Sequence, residues 1–340
     1  MSAEMLSSET IKGEALQLGF SACGIAKAEA VDEVTSQHFQ EWIAQGHQAE
    51  MHYMENHLDK RLDPRLLMDG LKTIVCVALN YTPLHRLPDG EYQIAAYALG
   101  QDYHDIVKQK LHQLANRILS PLKSHLSSLT SHPSPLNSYR AFSDSAPILE
   151  RYWAVRAGLG WVGRNHQLII PPHTSHPSPL TSSGSMFFLG ELFLTQEVDL
   201  YDQPMKSRCG TCRRCIDACP THALTEDTHS FDAHQCLSYQ TIENRGAIPP
   251  DMAAKMSNTI YGCDRCQQAC PWNRFAAPTT EPTLMAKQEL LSMTRVQWQQ
   301  LSQEDYQRLF KGSAVKRAKY EGLMRNIRAV SDTTDDTDSE

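Results

Sequence analysis

The chain has 340 residues, of which 41% are hydrophobic, and it carries a formal net charge of −7. This hydrophobic content supports a globular protein with one large domain or two smaller ones, and the negative charge argues against broad, nonspecific nucleic-acid binding while permitting a local basic face. No stretch approaches the roughly 20 apolar residues that cross a bilayer, and the N-terminal residues include acids but no apolar signal core. We therefore expect a cytoplasmic protein with no membrane association.

The first elements along the chain predict a mixed α/β core. Residues 1–30 fit a helix followed by a strand, because helical spacing in GEALQLGF gives way to the small-residue run SACGIA. Residues 71–81, LKTIVCVALNY, form a nearly continuous apolar and β-branched run, which is typical of a buried strand. Helical periodicity returns at 91–119 and at 147–158. Strand-like runs follow at 166–170 and at 186–195.

Two segments interrupt this pattern. Residues 120–138 and 171–185 are rich in Ser, Pro and His, and the hexamer SHPSPL occurs in both. We expect them to be solvated loop insertions without a catalytic role. After Pro271 the chain is predicted to be mostly helical to about residue 330, and the acidic end at 331–340 is predicted to be a disordered tail.

Eight of the ten cysteines fall between residues 209 and 270. A reducing cytoplasm does not favour disulfides, so these cysteines need another reason. The first four are spaced C-x2-C-x2-C-x3-C-P, and three later cysteines repeat the pattern without its first member, as in two-cluster bacterial ferredoxins. Because the last cysteine of each motif ligates the other cluster, the sequence predicts two [4Fe-4S] clusters. Their expected ligands are Cys209, Cys212, Cys215 and Cys270 for cluster I, and Cys219, Cys236, Cys263 and Cys266 for cluster II.

Zinc is the alternative for these cysteines. Cys212 and Cys215 together with Cys263 and Cys266 supply the four thiolates of a tetrahedral zinc site. Four ligands satisfy zinc, however, and leave four further cysteines and two Cys-Pro pairs unexplained. A cluster pair moves electrons but has no substrate pocket, so the rest of the chain must hold the electron acceptor. Cys76 lies in an apolar strand-like run and is predicted to be an ordinary buried thiol.

Long segments of the chain resemble the epoxyqueuosine reductase family. The resemblance covers nearly the whole chain in order, and AGLGW-x-G-[KR]-N joined to this cysteine order is specific to that family. The segments are MHYMENHLDKRLDPRLLMDGLKTIVCVALNY (51–81), YALGQDYH (97–104), SDSAPILERYWAVRAGLGWVGRNHQLI (143–169), GSMFFLGEL (184–192), the two cysteine motifs, CLSYQTIENRG (236–246) and FKGSAVKRAKYEGLMRN (310–326).

This resemblance implies a cobalamin-dependent oxidoreductase that converts epoxyqueuosine to queuosine at the wobble position of tRNA. The epoxide oxygen leaves as water after uptake of two electrons and two protons. The implied fold is α+β: a mixed α/β cobalamin-binding domain (1–204), a two-[4Fe-4S] ferredoxin-like module (205–275) and a helical segment that contacts tRNA (276–330). A low-potential donor such as a flavodoxin or a ferredoxin is expected to supply the electrons, and the chain is expected to be a monomer.

The resemblance also implies the site residues. Asp144 corresponds to the proton donor, and an acid shielded by a corrin and a base would be held protonated near neutral pH. The competing interpretation of Asp144 is a helix N-cap. For two of the expected cobalamin contacts the competing interpretations are a surface salt bridge at Arg61 and a core aromatic at Tyr103. The full set of expected cobalamin contacts is Arg61, Tyr103, Asp144, Asn165, Leu168, Leu189, Ser238, Cys263 and Asp264.

Two further motifs bear on the cofactor. Gly158, Gly160 and Gly163 look like a dinucleotide fingerprint, but no ribose-binding acid follows in a clear βαβ unit, so we do not expect NAD there. A chain running close to a flat macrocycle would also need glycines. The sequence has no D-x-H-x-x-G cobalamin motif, so the cofactor is expected in its base-off form.

Residues 308–328 contain seven basic side chains and one acid, Glu321. Such a basic face suits phosphate contacts, and we expect Lys316, Arg317 and Lys319 to bind tRNA. The alternative is an ordinary solvated helix face.

Two other functions fit parts of the chain. A corrinoid reductase of a small molecule, such as a reductive dehalogenase, would use the same cofactors, whereas an electron-transfer protein would leave the α/β region unexplained.

Overall fold

A computed structural model describes residues 5–126, 139–172 and 182–335. Most of the two predicted loop insertions, and residues 336–340 of the predicted tail, lie outside the described residues. The strands of the described part are β1 (Ala22–Lys27), β2 (Thr73–Asn80), β3 (Gln93–Ile94), β4 (Tyr139–Phe142), β5 (Trp161–Val162), β6 (Leu168–Ile169), β7 (Phe187–Leu194) and β8 (Thr259–Tyr261).

Helices surround these strands, and most of those after β7 are short. The α-helices of the same residues are α1 (Ser8–Gln17), α2 (Glu33–Ala44), α3 (Leu58–Leu62), α4 (Tyr103–Leu126), α5 (Glu150–Arg156), α6 (Arg214–Asp217), α7 (Leu237–Ile242), α8 (Pro250–Ala253), α9 (Arg265–Gln268), α10 (Gln288–Leu291), α11 (Arg295–Gln299), α12 (Gln303–Leu309) and α13 (Lys319–Asp335). Among the described residues, no helix is both long enough and apolar enough to cross a membrane.

Within the described residues, the largest sheet has four antiparallel strands in the order β1-β2-β7-β4. Side chains of β7 alternate between the two faces, as expected for a strand buried on both sides. Leu192 and Leu194 pack with residues of α1 and α4, whereas Phe193 packs with residues of α5. The sheet is therefore covered by helices on both faces, and β7 runs through its interior.

A second core joins distant parts of the chain. Its buried side chains include Tyr92, Tyr261 and Trp298, together with residues of α7 and α13. Asn326 of α13 is fully buried, and its Nδ2 donates hydrogen bonds of 2.8 Å to the carbonyl oxygens of Thr241 and Ile260. Residues from all three predicted regions thus share one core.

Several element predictions are confirmed and four need correction. Residues 120–126, predicted to begin a loop insertion, are helical, because α4 continues to Leu126. A helix and then a strand open the chain, and the strands predicted at 71–81 and 186–195 are present. The helix predicted at 91–119 begins only at Tyr103, because Gln93 and Ile94 pair with β8 and a 3-10 turn follows. The helix predicted at 147–158 is shorter, since it begins after Leu149. The predicted tail is helical as far as Asp335.

Candidate active site and cluster cysteines

The structure places Cys209, Cys212, Cys215 and Cys270 together. The pKa of Cys215 is raised to about 11, chiefly by burial and in part by the nearby thiols of Cys270 and Cys209. The pKa of Cys270 is also raised, first by burial and then by Cys209 and Cys212. Trp161 and Ile169 pack against this set. These four thiols form the first predicted ligand set.

The second set consists of Cys219, Cys236, Cys263 and Cys266. Burial raises the pKa of Cys236 to about 11, with smaller increases from Cys263 and Cys219. Cys266 has its pKa raised well above the usual value by burial, followed by Cys263 and Cys236. Thiols that raise one another's pKa lie within electrostatic reach of each other.

All eight cysteines carry free thiols. In the described residues, no three His, Cys, Asp or Glu side chains converge as the ligands of a single metal ion do. Thiolates of a cubane cluster bind different iron atoms and so lie further apart. The two short helices α6 and α9 contact each other and hold the two cysteine motifs side by side. The residues present therefore fit two [4Fe-4S] clusters.

Asp144 lies just after β4, in the left-handed region of backbone conformation with φ +49°. Its Oδ2 accepts a 2.6 Å hydrogen bond from the Tyr103 hydroxyl and lies 3.7 Å from His104 Nε2. The side chain is 65% exposed, yet desolvation by the surrounding protein is the largest influence on its pKa. A group at the floor of a concave surface has both properties. Asp144 does not cap α5, because Leu149 occupies that position.

The neighbours of Asp144 within the protein favour its ionised form. Desolvation raises its pKa, but the contact with His104 at 3.7 Å, the hydrogen bond from Tyr103 and the positive charge of Arg151 outweigh this and hold the pKa below its usual value. The local sequence does not predict this influence, because the two stabilising side chains lie 40 and 41 residues away. The predicted protonated form depends on shielding by a corrin and a base, beyond these protein groups.

His104 holds the proton that Asp144 lacks. Its Nδ1 lies 2.5 Å from the Asp102 carboxylate, and this hydrogen bond, followed by the ion-pair contact with Asp144, raises the pKa of His104 to about 9. The imidazole stacks on Tyr103 at 4.1 Å, and Tyr103 stacks on Phe188 at 4.0 Å. Tyr103 is thus both a stacked aromatic and a hydrogen-bond donor to Asp144. His104 lies inside the YALGQDYH segment, but we did not predict it as a site residue.

Two buried acids behind Asp144 were also missed. Glu150 Oε1 accepts a hydrogen bond from the backbone N–H of Asp144, and Glu191 lies next to Glu150. One sequence signal was available for Glu191, since a single acid interrupts the apolar run GSMFFLGELFL. An acidic side chain is rarely buried in a strand unless another group pairs with it.

Two of the expected cofactor contacts are buried donors that lack a partner. Arg61 is 6% exposed, and its Nη2 donates to the Tyr53 carbonyl at 3.1 Å. Its Nε has no partner in the described part of the chain, and the same is true of Nδ2 of the buried Asn165. Arg61 is therefore not in a surface salt bridge. Unsatisfied buried donors are costly, so these two suit an acceptor that is not part of the protein.

The remaining expected contacts are placed as follows. Leu168 lies in β6, and the Leu189 carbonyl in β7 accepts a 2.8 Å hydrogen bond from Ser143 Oγ. Ser238 lies in α7. The carboxylate of Asp264, which follows Cys263, already accepts hydrogen bonds from the Ala96 N–H at 2.7 Å and from Arg86 at 3.3 Å. Cys263 and Asp264 can therefore contact a further ligand mainly through their backbone.

The glycines of AGLGWVG serve packing within the protein. A Cβ atom on Gly160 would lie 2.0 Å from the carbonyl oxygen of Ile169, and one on Gly163 would lie 2.5 Å from the Ile169 side chain. Gly158 has φ +71°. The close approach of this loop to β6 accounts for Gly160 and Gly163, so no macrocycle is needed to explain them.

The predicted basic face is not one helix. Lys316 and Arg317 lie in a 3-10 turn that ends where α13 begins at Lys319, and all three side chains are exposed. Arg317 forms two hydrogen bonds with the Glu243 carboxylate, at 2.8 and 2.9 Å, and lies over the Tyr53 ring. Its charge is thus partly neutralised, so Lys316 and Lys319 are the better candidates for phosphate contacts.

Arg325, which we counted in the same basic segment, has an internal role. Its guanidinium donates hydrogen bonds of 2.6–2.9 Å to the backbone carbonyls of Gln240, Asn244 and Gly246. Tyr53 lies within electrostatic reach of both the basic face and Asp144. Burial is the main cause of its raised pKa, and the negative charges of Glu243 and Asp144 raise this pKa further.

Comparisons with known proteins agree with this geometry. Residues 61–145 match the family model described as epoxyqueuosine reductase QueG, DUF1730, and residues 208–273 match a 4Fe-4S double cluster binding domain. An epoxyqueuosine reductase of Cellulophaga algicola is 41% identical over 94% of this chain and 96% of its own.

Solved structures give the same picture. The epoxyqueuosine reductase of Streptococcus thermophilus is 25% identical with a TM-score of 0.77, and the match covers 97% of this chain and 82% of that one. An epoxyqueuosine reductase crystallised with an epoxyqueuosine-modified tRNA-Tyr stem loop has the same fold, with 24% identity, a TM-score of 0.78 and the same two coverages.

Proposed function

Because the chain belongs to the epoxyqueuosine reductase family, we propose that it reduces epoxyqueuosine in tRNA to queuosine. The reaction takes up two electrons and two protons, breaks the C–O bonds of the oxirane and releases its oxygen as water. The observation that carries the proposal is the exposed Asp144 carboxylate, which accepts a hydrogen bond from Tyr103 and lies 3.7 Å from the protonated His104. Family membership favours tRNA over the small-molecule substrate of a reductive dehalogenase.

Cobalamin, when bound, supplies a low-valent cobalt that reduces the epoxide, and the two [4Fe-4S] clusters return electrons to it. Arg61 Nε and Asn165 Nδ2 would donate hydrogen bonds to its polar groups, since both are buried without a partner in the described residues. Tyr103, Leu168, Leu189 and Ser238, and the backbone of Cys263 and Asp264, would complete the site. We propose that the cobalamin would bind in its base-off form. The D-x-H-x-x-G motif, which accompanies a histidine lower ligand, does not occur in the sequence.

The protein moves the protons. We propose that His104 stores a proton and that Asp144 passes it to the oxirane oxygen as the first C–O bond breaks. A second proton, which His104 takes up from solvent, follows the same route to the resulting hydroxyl group, which then leaves as water. Asp102 keeps the imidazole charged, and the Tyr103 hydroxyl orients the Asp144 carboxylate. A developing alkoxide is a far stronger base than a carboxylate, so Asp144 needs to be protonated only transiently.

Three regions would divide this work. Residues 1–204 would hold the cobalamin, 205–275 the clusters, and 276–330 the tRNA, with Lys316 and Lys319 on phosphates and Arg317 beside them. We further propose a cytoplasmic monomer supplied by a flavodoxin, a ferredoxin or a similar donor. Cluster ligation needs reduced cysteines, which a reducing compartment maintains.

The direct test is anaerobic turnover. The chain, reconstituted with iron, sulfide and cobalamin, should convert epoxyqueuosine to queuosine in tRNA given a chemical low-potential reductant. Mass spectrometry of the digested nucleosides should show loss of one oxygen atom. Optical spectra that show clusters and corrin in place, with no conversion of the tRNA, would contradict the proposal.

A further inference from the structure

Glu191 carries a carboxyl group in apolar surroundings. It lies in the middle of β7, opposite Cys76 of β2 and Phe142 of β4, and is fully buried. The face of the sheet on which it lies is packed with apolar residues, among them Phe193 and Trp153. No N–H or O–H group of the described residues donates to either of its carboxyl oxygens. An ionised carboxylate in such a position has nothing to offset its desolvation.

A neighbouring acid explains how Glu191 is tolerated. The Glu150 carboxyl, at the start of α5, lies within hydrogen-bonding reach of the Glu191 carboxyl. Ionised carboxylates only accept hydrogen bonds, so the two groups can bond only if one keeps its proton. Burial raises the pKa of both acids. For Glu150 the negative charge of Asp144 adds to this and the contact with Glu191 lowers it, which leaves its pKa at about 8. For Glu191 the proximity of Glu150 adds to burial, and the pKa lies well above its usual value. Glu191 is thus the donor and Glu150 the acceptor.

Glu150 in turn accepts a hydrogen bond from the backbone N–H of Asp144. With φ +49°, Asp144 has a conformation that L-residues rarely adopt, so its backbone needs an external partner to hold it there. The three residues form one series of contacts, from the interior of the sheet to the exposed carboxylate. Nothing in the proton transfer proposed above uses Glu150 or Glu191.

We propose that Glu191 and Glu150 are positioning residues: Glu191, as a neutral acid, fixes the Glu150 carboxyl group, which anchors the Asp144 backbone and aims its side chain at the substrate. The substrate is the epoxide of the proposed function, on which this inference rests. The buried acid pair itself does not depend on that function.

The pair predicts a dependence on pH. The titratable or charged groups that face it are Asp144 after β4, His104 of α4, Arg151 of α5 and Cys76 of β2. Deprotonation of Glu191 would place two adjacent negative charges in the interior. Above the ordinary carboxyl pKa the native state holds protons that the unfolded state has lost, so stability falls as pH rises towards the raised pKa values.

Two substitutions separate the possible roles of Glu191. Glu191→Gln keeps a hydrogen-bond donor for Glu150 but has no proton to lose, whereas Glu191→Leu removes the donor and suits the apolar surroundings. In the holoenzyme, we expect Glu191→Leu to lower single-turnover reduction of epoxyqueuosine by up to about 10²-fold, the effect of a small misplacement of a reacting group. Its melting temperature and both cofactor spectra should be retained. Glu191→Gln should restore most of the rate.

A second readout does not require turnover. The infrared difference spectrum at pH 7, wild type minus Glu191→Gln, should contain the C=O stretching band of a protonated carboxylic acid. The difference is needed because the buried Asp264 also has a raised pKa. The melting temperature of Glu191→Gln should fall less than that of wild type between pH 6 and pH 9. Glu33→Gln, which changes an exposed acid of α2, should show neither effect.

Absence of the acid band from the difference spectrum would overturn the proposal, as would wild-type turnover in Glu191→Leu. A failure of the proposed function would give a different result from these two outcomes. In that case the wild-type chain would not reduce epoxyqueuosine, while the infrared band and the pH-dependent melting temperature would still decide whether the acid pair exists.

Discussion

Asp102→Asn tests whether the protonated state of His104 is the active one. The Asp102 carboxylate accepts hydrogen bonds from His104 Nδ1 at 2.5 Å and from the His104 backbone N–H at 3.1 Å, where α4 begins. Asparagine is as good a helix N-cap as aspartate, so the fold should be preserved. The substitution removes the negative charge and leaves the size of the side chain unchanged.

The magnitude follows from the pKa of His104, which is raised from 6.5 to about 9 with the Asp102 hydrogen bond as the largest cause. Without that charge the pKa should fall by roughly 1.5 units, since the contribution of Asp144 remains. Activity that needs the imidazolium is present below this pKa and lost as pH rises through it. The alkaline limb of the pH profile should therefore move from about 9 to about 7.5, which lowers the rate at pH 8 by about fourfold.

Single-turnover reduction of epoxyqueuosine-containing tRNA between pH 6 and pH 10 measures this directly, with the cobalt reduced chemically beforehand so that electron supply does not limit the rate. Asp251→Asn is the matched control, because it removes an exposed carboxylate from α8. An alkaline limb that stays where it is in the wild type would refute the role of His104.

Three other substitutions address the rest of the site. Asp144→Asn should keep both clusters and cobalamin but lose roughly 10²- to 10⁴-fold in single-turnover rate, because an amide cannot deliver a proton; a rate equal to wild type would make Asp144 structural. Cys236→Ala should lose one of the two clusters after anaerobic reconstitution, and iron analysis that still finds both would assign the fourth ligand elsewhere. Lys316→Ala with Lys319→Ala should weaken tRNA binding and lower the slope of log affinity against log salt by about 1.4–1.8, since each phosphate contact releases counterions.

The tRNA prediction has two internal controls. Lys27→Ala with Lys72→Ala removes the same charge from the end of β1 and from the residue before β2, and should leave the salt slope unchanged. Arg317→Ala should change the slope less than either lysine substitution, because Glu243 already neutralises much of its charge. Equal slopes in all variants would place the tRNA contacts on another surface.

The sequence predicted best what is encoded locally. The spacing within each motif predicts which thiols share a cluster, and the structure places thiols of each predicted set within electrostatic reach of one another. Asp144 was predicted from the resemblance of its surrounding segment to the family. The strand at 71–81 was predictable because its apolar run is continuous.

Contacts between distant segments were not predictable. The ionised state of Asp144 depends on Tyr103 and His104, which its local sequence does not identify. Arg317 looked like a free cation, but its partner Glu243 lies 74 residues away. The start of α4 was misplaced because residues 93–94 gain strand pairing from β8. In each case a contact between residues distant in sequence determines the charge state, the pairing or the helix boundary. The periodicity of the local sequence does not predict such contacts.

The buried amide of Asn326 has a consequence for how the protein is made. It bonds to carbonyls of Thr241 and Ile260, and these lie within five residues of Cys236 and Cys263 in the chain. Neither α7 nor β8 can reach its final packing until α13 has left the ribosome and docked. Cells should therefore insert the second cluster only after synthesis of α13, which makes its insertion a late, post-translational step and leaves the nascent thiols exposed to oxidation until then.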